Sequence, residues 1–319
     1  MNFYGLLHIS DEGRHSPNLK ARSSPAAISS YVANAVTLAN SLRAVGCDFT
    51  VVTNDEARLT EINGAGLGAN VAVTEISFGT RVPKDILFYS AHHKVDVYRW
   101  FSTFAADDYP VLIDLDMVAL RPPSTAFIAC VSSGIPLVYD ISDQVFPVFG
   151  EDTIAADLER LLGPQVPLRR WYGGEFTGGR PEFFAKLVEE IDRLWDAYIS
   201  SFATFHHQGD EVLTSAALCK MLSEGWSALD AGPIGGVGRY WSGQPLHPQK
   251  PFAWVEQCFL AHLPGDKAYL AARAHRRPFR GDVFRREYRW HRLAVEQKSR
   301  VRSLAKLALG RRRPAIPAG

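Results

Sequence analysis

The chain has 319 residues, of which 46% are apolar and 22% are charged. This composition is typical of a globular protein and excludes a disordered, collagen-like or coiled-coil chain. The formal net charge of +1 conceals two opposed parts. Residues 273–319 hold 15 of the 35 Lys and Arg and 3 of the 34 Asp and Glu, a net charge of +12, which leaves −11 for residues 1–272. Such asymmetry indicates an anionic partner or surface for the basic segment.

The first half of the chain alternates strand and helix patterns. Apolar or β-branched runs predict strands at residues 3–9, 49–53, 71–76 and 111–113, and helical periodicity predicts helices at residues 26–45 and 90–106. This alternation favours an α/β layer with a mainly parallel sheet. Ligands bind such sheets beyond the carboxyl ends of the strands.

The second half continues the alternation and then changes composition. The patterns predict strands at residues 137–141 and 257–262, helices at residues 154–162, 181–200 and 210–225, and an aromatic and glycine-rich segment at residues 171–179. The charge shift predicts a body at residues 1–272 and a basic, helical C-terminal tail at residues 273–319.

The strongest local signal is a pair of acidic residues after a buried strand. Asp114 and Asp116 follow Val111-Leu112-Ile113, and at strand spacing their side chains point to the same side. Two carboxylates held together raise each other's pKa unless a cation joins them. Mg²⁺ and Mn²⁺ prefer such oxygen ligands. The alternative is a strand end with two solvated acids.

Two enzyme classes use this pattern. Glycosyltransferases of the GT-A fold have an Asp-x-Asp at a strand end that holds a metal against a nucleotide-sugar diphosphate. Phosphatases of the haloacid-dehalogenase type have Asp-x-Asp-x-Thr/Val, which residues 114–118 also resemble. Those phosphatases carry the motif near the start of the catalytic domain, whereas several strand–helix units precede it here, which favours the glycosyltransferase.

A late histidine and lysine strengthen this interpretation. The segment His262-Leu263-Pro264-Gly265-Asp266-Lys267 resembles the His-x-x-Gly-x-x-Lys element of family 8 retaining glycosyltransferases, with one residue fewer between Gly and Lys. The resemblance implies that His262 is the third metal ligand, and that Gly265 and Lys267 bind the diphosphate. A neutral imidazole suits such a site, and a lysine offsets the charge of the departing nucleotide. The alternative is a surface turn with an ordinary lysine.

The same resemblance suggests further donor-binding residues. Tyr31 precedes Ser41-Leu42 at the interval seen in family 8 enzymes and is the candidate for stacking on the base; a half-buried helix aromatic is the alternative. This fold commonly carries a basic residue on the helix before the Asp-x-Asp. Lys94 and Arg99 are the candidates, Arg99 the first choice, and a solvated helix face is the alternative.

Two later segments resemble family 6 retaining glycosyltransferases. Residues 172–179 match an aromatic and glycine-rich segment, in which Gly173 and Gly174 either approach the sugar closely or form a tight hairpin. The segment His207-Gln208-Gly209-Asp210-Glu211 echoes a His-Asp-Glu run of that family, which implies that Glu211 is the nucleophile and that Asp210 binds a sugar or acceptor hydroxyl. Their alternative role is to stabilise a helix N-terminus.

These residues together predict a metal-dependent glycosyltransferase of the GT-A fold, with a Rossmann-like mixed sheet flanked by helices. The resemblance implies a nucleotide-sugar donor (a UDP-sugar), Mn²⁺ or Mg²⁺, retention, and a glycan or lipid-linked acceptor. The rival hypotheses are a haloacid-dehalogenase-type phosphatase and a catalytically silent carbohydrate- or protein-binding module. The full set of predicted site residues is Tyr31, Lys94, Arg99, Asp114, Leu115, Asp116, Gly173, Gly174, Asp210, Glu211, His262, Gly265 and Lys267.

The tail and the cysteines bear on location. Residues 295–309 form a basic amphipathic pattern beside aromatic residues, which predicts an interfacial helix on anionic lipid. Nucleic acid is the competing partner, which we do not expect, and docking of the tail on the acidic body is the alternative. The four cysteines form no C-x-x-C pair and predict reduced thiols. No apolar run spans a bilayer and no signal-peptide pattern opens the chain, so we expect a cytoplasmic protein that is peripheral on the inner face of the membrane.

Overall fold

The structure is a computed structural model that describes residues 1–10, 24–63, 71–164, 168–243 and 247–310. The elements within residues 1–201 are β1 (Asn2–Leu7), α1 (Ser24–Arg43), β2 (Phe49–Thr53), α2 (Glu56–Asn63), β3 (Ala72–Glu75), α3 (Lys94–Phe101), β4 (Pro110–Ile113), β5 (Met117–Ala119), α4 (Thr125–Ser132), β6 (Leu137–Asp140), α5 (Ser142–Phe149), α6 (Glu151–Leu162), β7 (Tyr172–Gly178) and α7 (Pro181–Ser201). The later elements are α8 (Asp210–Ser223), β8 (Leu229–Asp230), β9 (Val237–Arg239), α9 (Phe252–Val255), β10 (Leu260–His262), α10 (Lys267–Ala271) and α11 (Gly281–Gly310).

The described strands form two sheets. The larger has seven strands in the order β3-β2-β1-β4-β7-β6-β8. Strands β3, β2, β1 and β4 are parallel, whereas β7 runs antiparallel between β4 and β6. The predicted α/β fold with a mixed sheet flanked by helices is confirmed. The three residues Val111, Leu112 and Ile113 are buried, as expected for a strand covered on both faces.

The direction of β7 places its first residues at the edge of the sheet where the neighbouring strands end. Because β7 is antiparallel to β4 and β6, residues near its start lie at the edge where β1, β4 and β6 end. Every residue of Tyr172–Gly178 is buried in one continuous strand. The alternative of a tight glycine hairpin in this segment is therefore wrong.

The smaller sheet fixes the late histidine. Its order is β5-β10-β9, with β10 antiparallel to β5 and parallel to β9. His262 pairs in register with Met117 on one side and with Arg239 on the other. The Leu263 amide also donates to the Asp116 carbonyl at 3.0 Å, so the late segment is attached directly to the end of the Asp-x-Asp.

Two predicted helices differ in extent. The helix expected at residues 90–106 begins with a 3₁₀ helix, Tyr89–His93, and ends with α3 at Phe101. The Ser102 and Thr103 hydroxyls donate to the carbonyls of Arg99 and Trp100, which competes with continued helix at this point. The helix expected at residues 295–309 is the second half of the 30-residue helix α11.

The first half of α11 packs on the body. Phe284 and Tyr288 are buried in a second apolar core together with Phe252, Leu263 and Leu270. Arg289 also pairs with Glu256, with nitrogen–oxygen distances of 2.6 and 2.9 Å. The first half of α11 therefore docks on residues 1–272, as the alternative interpretation of the tail expected. The proposed boundary at residue 273 stays a prediction.

The cysteines and helices give two further observations. All four cysteines are free thiols, and three of them are buried. Burial raises the pKa of Cys219 and of Cys258 to about 12, so both remain protonated. Within the described ranges, no helix has the length and apolarity needed to cross a membrane.

Candidate active site

The two predicted aspartates and the late histidine meet at the edge of both sheets. Asp114 follows β4, Asp116 precedes β5, and His262 ends β10. The His262 Nε2 lies 3.1 Å from Asp116 Oδ1 and 3.9 Å from Asp114 Oδ2. One ligand atom from each residue fits within 4.8 Å of the others. Two carboxylates and an imidazole at this spacing are a suitable donor set for a divalent cation.

A buried glutamate on β7 orients the histidine. Glu175 stands opposite Asp114, whose amide donates to the Glu175 carbonyl at 3.1 Å. The His262 Nδ1 lies 3.2 Å from Glu175 Oε1, and Arg239 holds the same carboxylate with two bonds of 2.6 Å. A hydrogen on Nδ1 leaves Nε2 free to face the aspartates. This carboxylate–histidine arrangement is the usual support of a metal-binding histidine.

The pKa values of Asp114, Asp116 and His262 depend on burial and on the charged side chains that face each of them. Burial raises the pKa of Asp114. Burial would also raise the pKa of Asp116, but Lys267 and His262 outweigh it and hold that pKa low. Burial would lower the pKa of His262, yet Asp116 and Glu175 raise it to about 9. The acidic side chains around His262 therefore favour positive charge at the position where the donor set faces inward.

A count of charges supports a divalent cation. Among the described residues, with His262 neutral as a ligand must be, three cationic side chains face five carboxylates, so two negative charges of this set are uncompensated. One divalent cation balances them. The cations are Lys94, Arg239 and Lys267, and the carboxylates are Asp114, Asp116, Glu175, Asp210 and Glu211.

Lys94 links Asp114 of the donor set to Asp210, the first residue of the acidic pair Asp210-Glu211. Its Nζ lies 3.0 Å from Asp114 Oδ1 and 3.1 Å from Asp210 Oδ2, and it donates to the Gly174 carbonyl at 2.7 Å. Burial would lower the pKa of Lys94, but the two aspartates raise it, so the lysine is charged. Burial raises the pKa of Asp210 despite this lysine. The charge of Asp210 in this buried position is therefore compensated by Lys94.

Glu211 is held as an ionised carboxylate. Trp171 Nε1 donates to its Oε2 at 3.1 Å, and Arg239 Nη2 donates to its Oε1 at 3.3 Å. The His207 Nε2 is 4.0 Å from Oε2, while His207 Nδ1 accepts the Gly209 amide. Burial would raise the pKa of Glu211, but His207 and Arg239 lower it. The carboxylate thus offers a fixed negative charge.

Lys267 completes the cluster from the turn after β10. Its Nζ donates to Asp116 Oδ2 at 2.5 Å and to the Pro264 carbonyl at 3.1 Å. The ammonium lies 6.0 Å from the centre of the Tyr31 ring. Burial would lower the pKa of Lys267, but Asp116 raises it. A charged lysine therefore stands beside the aspartates and the predicted base-stacking residue.

Helix α11 fastens this turn through Asp266. The Tyr288 hydroxyl donates to Asp266 Oδ2 at 2.6 Å, and the His291 Nε2 lies 2.9 Å from Asp266 Oδ1. The Ser242 hydroxyl donates to the same Oδ1 at 2.7 Å. The basic tail thus contributes directly to the position of the neighbouring Lys267.

A cavity of about 500 Å³ is bordered by Asp114, Asp116, His262, Lys94 and Lys267, together with Asp210, Glu211 and Arg239. Its near end is formed by residues after β1 and at the start of α1, including His8 and Tyr31. Since β4 lies between β1 and β7 in the sheet, Asp114 after β4 lies between His8 after β1 and Trp171 before β7. Trp171 contacts Glu211, and these two residues mark the far end of the cavity. A cavity of this size is within the range of small-molecule sites.

The structure separates the two basic candidates on α3. Lys94 borders the cavity and is 7% exposed. Arg99 lies outside the described lining, and its side chain is 45% exposed and pairs with Asp192 at 2.7 Å. The choice of Arg99 as the first candidate is corrected on this geometry: Lys94, five residues earlier, is the one that contacts the Asp-x-Asp.

Two of the predicted glycines leave space for charged side chains, and the third leaves space for an aromatic ring. A Cβ on Gly173 would lie 2.0 Å from Glu175 Oε2, and one on Gly174 would lie 2.5 Å from Asp210 Oδ2. A Cβ on Gly265 would lie 3.3 Å from the Trp241 ring. None of the three belongs to the described cavity lining. Among the other predicted residues, Tyr31 and Leu115 do border the cavity.

Sequence reasoning assigned no role to Glu175, Arg239, Trp171 or His207. Glu175 carries one signal, an isolated acid in an otherwise uncharged aromatic and glycine-rich run. Arg239 carries none, because its neighbours Gly238 and Tyr240 form no motif around it. Arg239 reaches the site because β9 pairs with β10 in a register that sets Arg239 beside His262, and this register is a property of the folded chain.

Comparisons with known proteins show similarity at low identity. No protein-family model matches the chain, and no curated protein sequence matches it. Among solved structures, it is similar to galactosyltransferase LgtC in complex with donor and acceptor sugar analogs, at 10% identity and a TM-score of 0.45, over 87% of this chain and 98% of that one. It is also similar to mouse xyloside xylosyltransferase 1, at 10% identity and a TM-score of 0.44, over 82% and 96% of the two chains.

A third similar structure is the bifunctional glycosyltransferase WbbM, at 9% identity and a TM-score of 0.40. The match covers 82% of this chain and 45% of that one.

Proposed function

We propose that the protein is a metal-dependent glycosyltransferase of the GT-A fold that transfers a sugar from a nucleotide-sugar donor, a UDP-sugar, with retention. The acceptor is a glycan or a lipid-linked sugar. One observation carries the proposal: the donor set of Asp114, Asp116 and His262 lies beside Lys267 in the cavity that also presents Glu211. This combination suits a substrate with a diphosphate at one end and a sugar at the other.

Asp114, Asp116 and His262 would hold the cation, Mn²⁺ or Mg²⁺. The bound cation would neutralise charge on the diphosphate leaving group. The donor set, its orientation by Glu175 and the charge balance all fit a divalent ion.

The chain's own residues complete the donor site. Lys267 offers an ammonium to the departing diphosphate, and Gly265 leaves the turn free of a side chain. Tyr31 offers a ring to the base, and Leu115 forms part of the wall between the aspartates. Lys94 holds Asp114 and Asp210 in fixed positions, so its effect on the donor is indirect.

Glu211 is the group that faces the reacting sugar. Because Trp171 and Arg239 keep it ionised and fixed, it can stabilise a developing positive charge at the anomeric carbon or attack that carbon. Asp210 borders the cavity, and its carboxylate oxygens can accept a hydrogen bond from a sugar hydroxyl. These roles match the predicted order, with Glu211 as nucleophile and Asp210 as hydroxyl partner.

A thermal-shift panel tests the proposal. UDP- and GDP-sugars are added with EDTA, Mg²⁺ or Mn²⁺ to the intact protein, to His262→Ala and to His275→Ala, an exposed histidine outside the lining. A ligand at about 100 times its Kd stabilises by about 2.7 kcal/mol. We expect metal-dependent stabilisation of the wild type and of His275→Ala, and loss of the metal dependence in His262→Ala. No stabilisation by any nucleotide sugar would refute the proposal.

A phosphate-release assay on a phosphomonoester, run beside the thermal-shift panel, separates the two rivals. A haloacid-dehalogenase-type phosphatase would release phosphate from a phosphomonoester with Asp114 as nucleophile. A silent binding module would show no metal-dependent affinity for nucleotide sugars.

We also propose that α11 rests on an anionic membrane surface at the cytoplasmic side. Trp290, Leu293 and Val301 are 71%, 39% and 65% exposed and follow one side of the helix. Arg286 and Lys298 are exposed on the same helix. Large exposed apolar residues flanked by cations suit the headgroup region of an anionic bilayer.

Liposome flotation tests the membrane surface. The variant Trp290→Ser/Val301→Ser leaves the buried contacts of Phe284 and Tyr288 intact. We expect it to bind vesicles of phosphatidylglycerol less than the wild type does, and we expect neither protein to bind vesicles of phosphatidylcholine alone. Equal flotation of the two proteins on phosphatidylglycerol would reject the anchor.

A further inference from the structure

The far end of the cavity contains a histidine that the donor site does not use. His206 borders the cavity, and its ring lies 4.6 Å from Phe149 and 4.8 Å from Trp171, measured between ring centres. Trp171 in turn donates to Glu211 at 3.1 Å. His206 is therefore one side chain removed from the group that faces the reacting sugar.

A buried carboxylate fixes the orientation of His206. Its Nδ1 is hydrogen-bonded to Asp157 Oδ2, and its backbone amide donates to the same oxygen at 3.1 Å. Asp157 is 3% exposed and lies outside the described lining. Because a carboxylate accepts, Nδ1 carries the hydrogen, and in the neutral imidazole Nε2 is then the acceptor. Since Nδ1 is occupied by Asp157, which lies outside the lining, Nε2 is the ring nitrogen left for a ligand in the cavity.

The order of strands separates this end from the donor end. His8 follows β1 and Asp114 follows β4, whereas Trp171 precedes β7 and Phe149 ends α5, the helix after β6. A nucleotide that extends from the β1 side of the cavity to Asp114, Asp116 and His262 leaves the β6 side of the cavity free for a second substrate. Sheet order therefore predicts two subsites on either side of the cluster.

Half-buried rings line the second subsite. Phe149 and Phe88 border it, and Phe88 stacks on His207 at 5.0 Å with an interplanar angle of 24°. Phe88 has φ of 56°, and among the described residues it is the one non-glycine residue with a positive φ. Such a backbone is costly and is found where a side chain must be held in a particular place.

We propose that this end of the cavity is the acceptor subsite, and that it binds a pyranose ring whose hydroxyl donates a hydrogen bond to His206 Nε2. Sugar rings present C–H groups on their faces and hydroxyls at their edges, which suits half-buried aromatic rings beside a fixed nitrogen acceptor. Asp157 is a positioning residue, since it acts through His206. The inference rests on the proposed function for the role of the sugar as acceptor.

Two substitutions of His206 separate its two nitrogens. The amide nitrogen of Asn can take the place of Nδ1, so His206→Asn keeps the bond to Asp157 and loses the cavity-side group. The amide of Gln reaches the position of Nε2, so His206→Gln keeps a polar group in the cavity. His275→Asn, at an exposed histidine, is the matched control.

The assay measures glycoside binding to the protein loaded with UDP and Mn²⁺. The probes are p-nitrophenyl glucosides, galactosides, mannosides and N-acetylglucosaminides of both anomers, followed by saturation-transfer NMR and calorimetry. For the glycosides that bind the wild type, we expect His206→Asn to raise Kd about 10-fold or more, and His206→Gln to recover most of the affinity. UDP affinity in the presence of Mn²⁺ should stay unchanged in all variants, and the control should match the wild type throughout.

Each outcome decides the matter. Unchanged glycoside affinity in His206→Asn overturns the inference, and so does failure of every glycoside to bind a protein that binds UDP and Mn²⁺. Loss of glycoside binding in His206→Asn, in a protein with no affinity for UDP and Mn²⁺, would overturn the proposed function and leave the sugar subsite standing. If His206→Asn melts well below the wild type, Phe149→Leu carries the test, because it removes the ring and leaves the Asp157 bond in place.

Discussion

Arg239→Met is the most informative single perturbation of this site. It removes the two 2.6 Å bonds to Glu175 and the 3.3 Å contact to Glu211 while keeping most of the side-chain volume. Glu175 is 1% exposed, so its carboxylate would be left in a buried site with His262 as its remaining charged partner. Loss of one member of a buried pair is strongly destabilising because the other charge stays uncompensated.

The expected size follows from this burial. Breaking a buried ion pair costs about 3–5 kcal/mol. The unfolding entropy of a chain this long is roughly 0.67 kcal/mol/K, so Tm should fall by roughly 4–7 °C. Arg280→Met is the matched control, since its side chain and that of its partner Asp282 are 65% and 61% exposed. An exposed pair of this kind contributes about 0–1 kcal/mol.

The assay is thermal and urea unfolding followed by circular dichroism, with a double-mutant cycle. Glu175→Gln should destabilise the wild type, but in Arg239→Met it removes the uncompensated charge and should restore part of the lost stability. A loss below about 1 kcal/mol in Arg239→Met would refute the reasoning. Additive effects of the two substitutions would refute it equally.

Three further predictions concern other parts of the site. Gly174→Ala places a Cβ 2.5 Å from a site carboxylate oxygen and should cost about 1–3 kcal/mol in urea unfolding, whereas Gly79→Ala, which meets nothing within 4 Å, should change stability by less than about 0.5 kcal/mol. Lys267→Met should weaken UDP binding about 10-fold or more by calorimetry, because a charge-assisted contact is lost; an unchanged Kd would remove the lysine from the diphosphate site. Tyr288→Phe should lower stability by about 1–3 kcal/mol, since it deprives buried Asp266 of a donor, and a melting curve identical to the wild type would contradict this.

The amino-acid sequence by itself determined the local elements and the central motif. Strand β2 and helices such as α7 follow from residue periodicity, which is a property of neighbouring positions. Asp114 and Asp116 were identifiable because a buried strand leads directly into them, and His262 and Lys267 because they share one short turn. The charge shift after residue 272 was likewise visible from counting.

Only the tertiary structure decided which distant side chains meet. Periodicity could not choose between Lys94 and Arg99, because that choice depends on which side of α3 faces the end of β4. Glu175 and Arg239 join the site through strand register across the two sheets, and no local pattern encodes register between segments so far apart. The tail shows the same limit. Its charge indicated a separate segment, but burial of Phe284 and Tyr288 against the body is a matter of packing between residues that are close only in the folded chain.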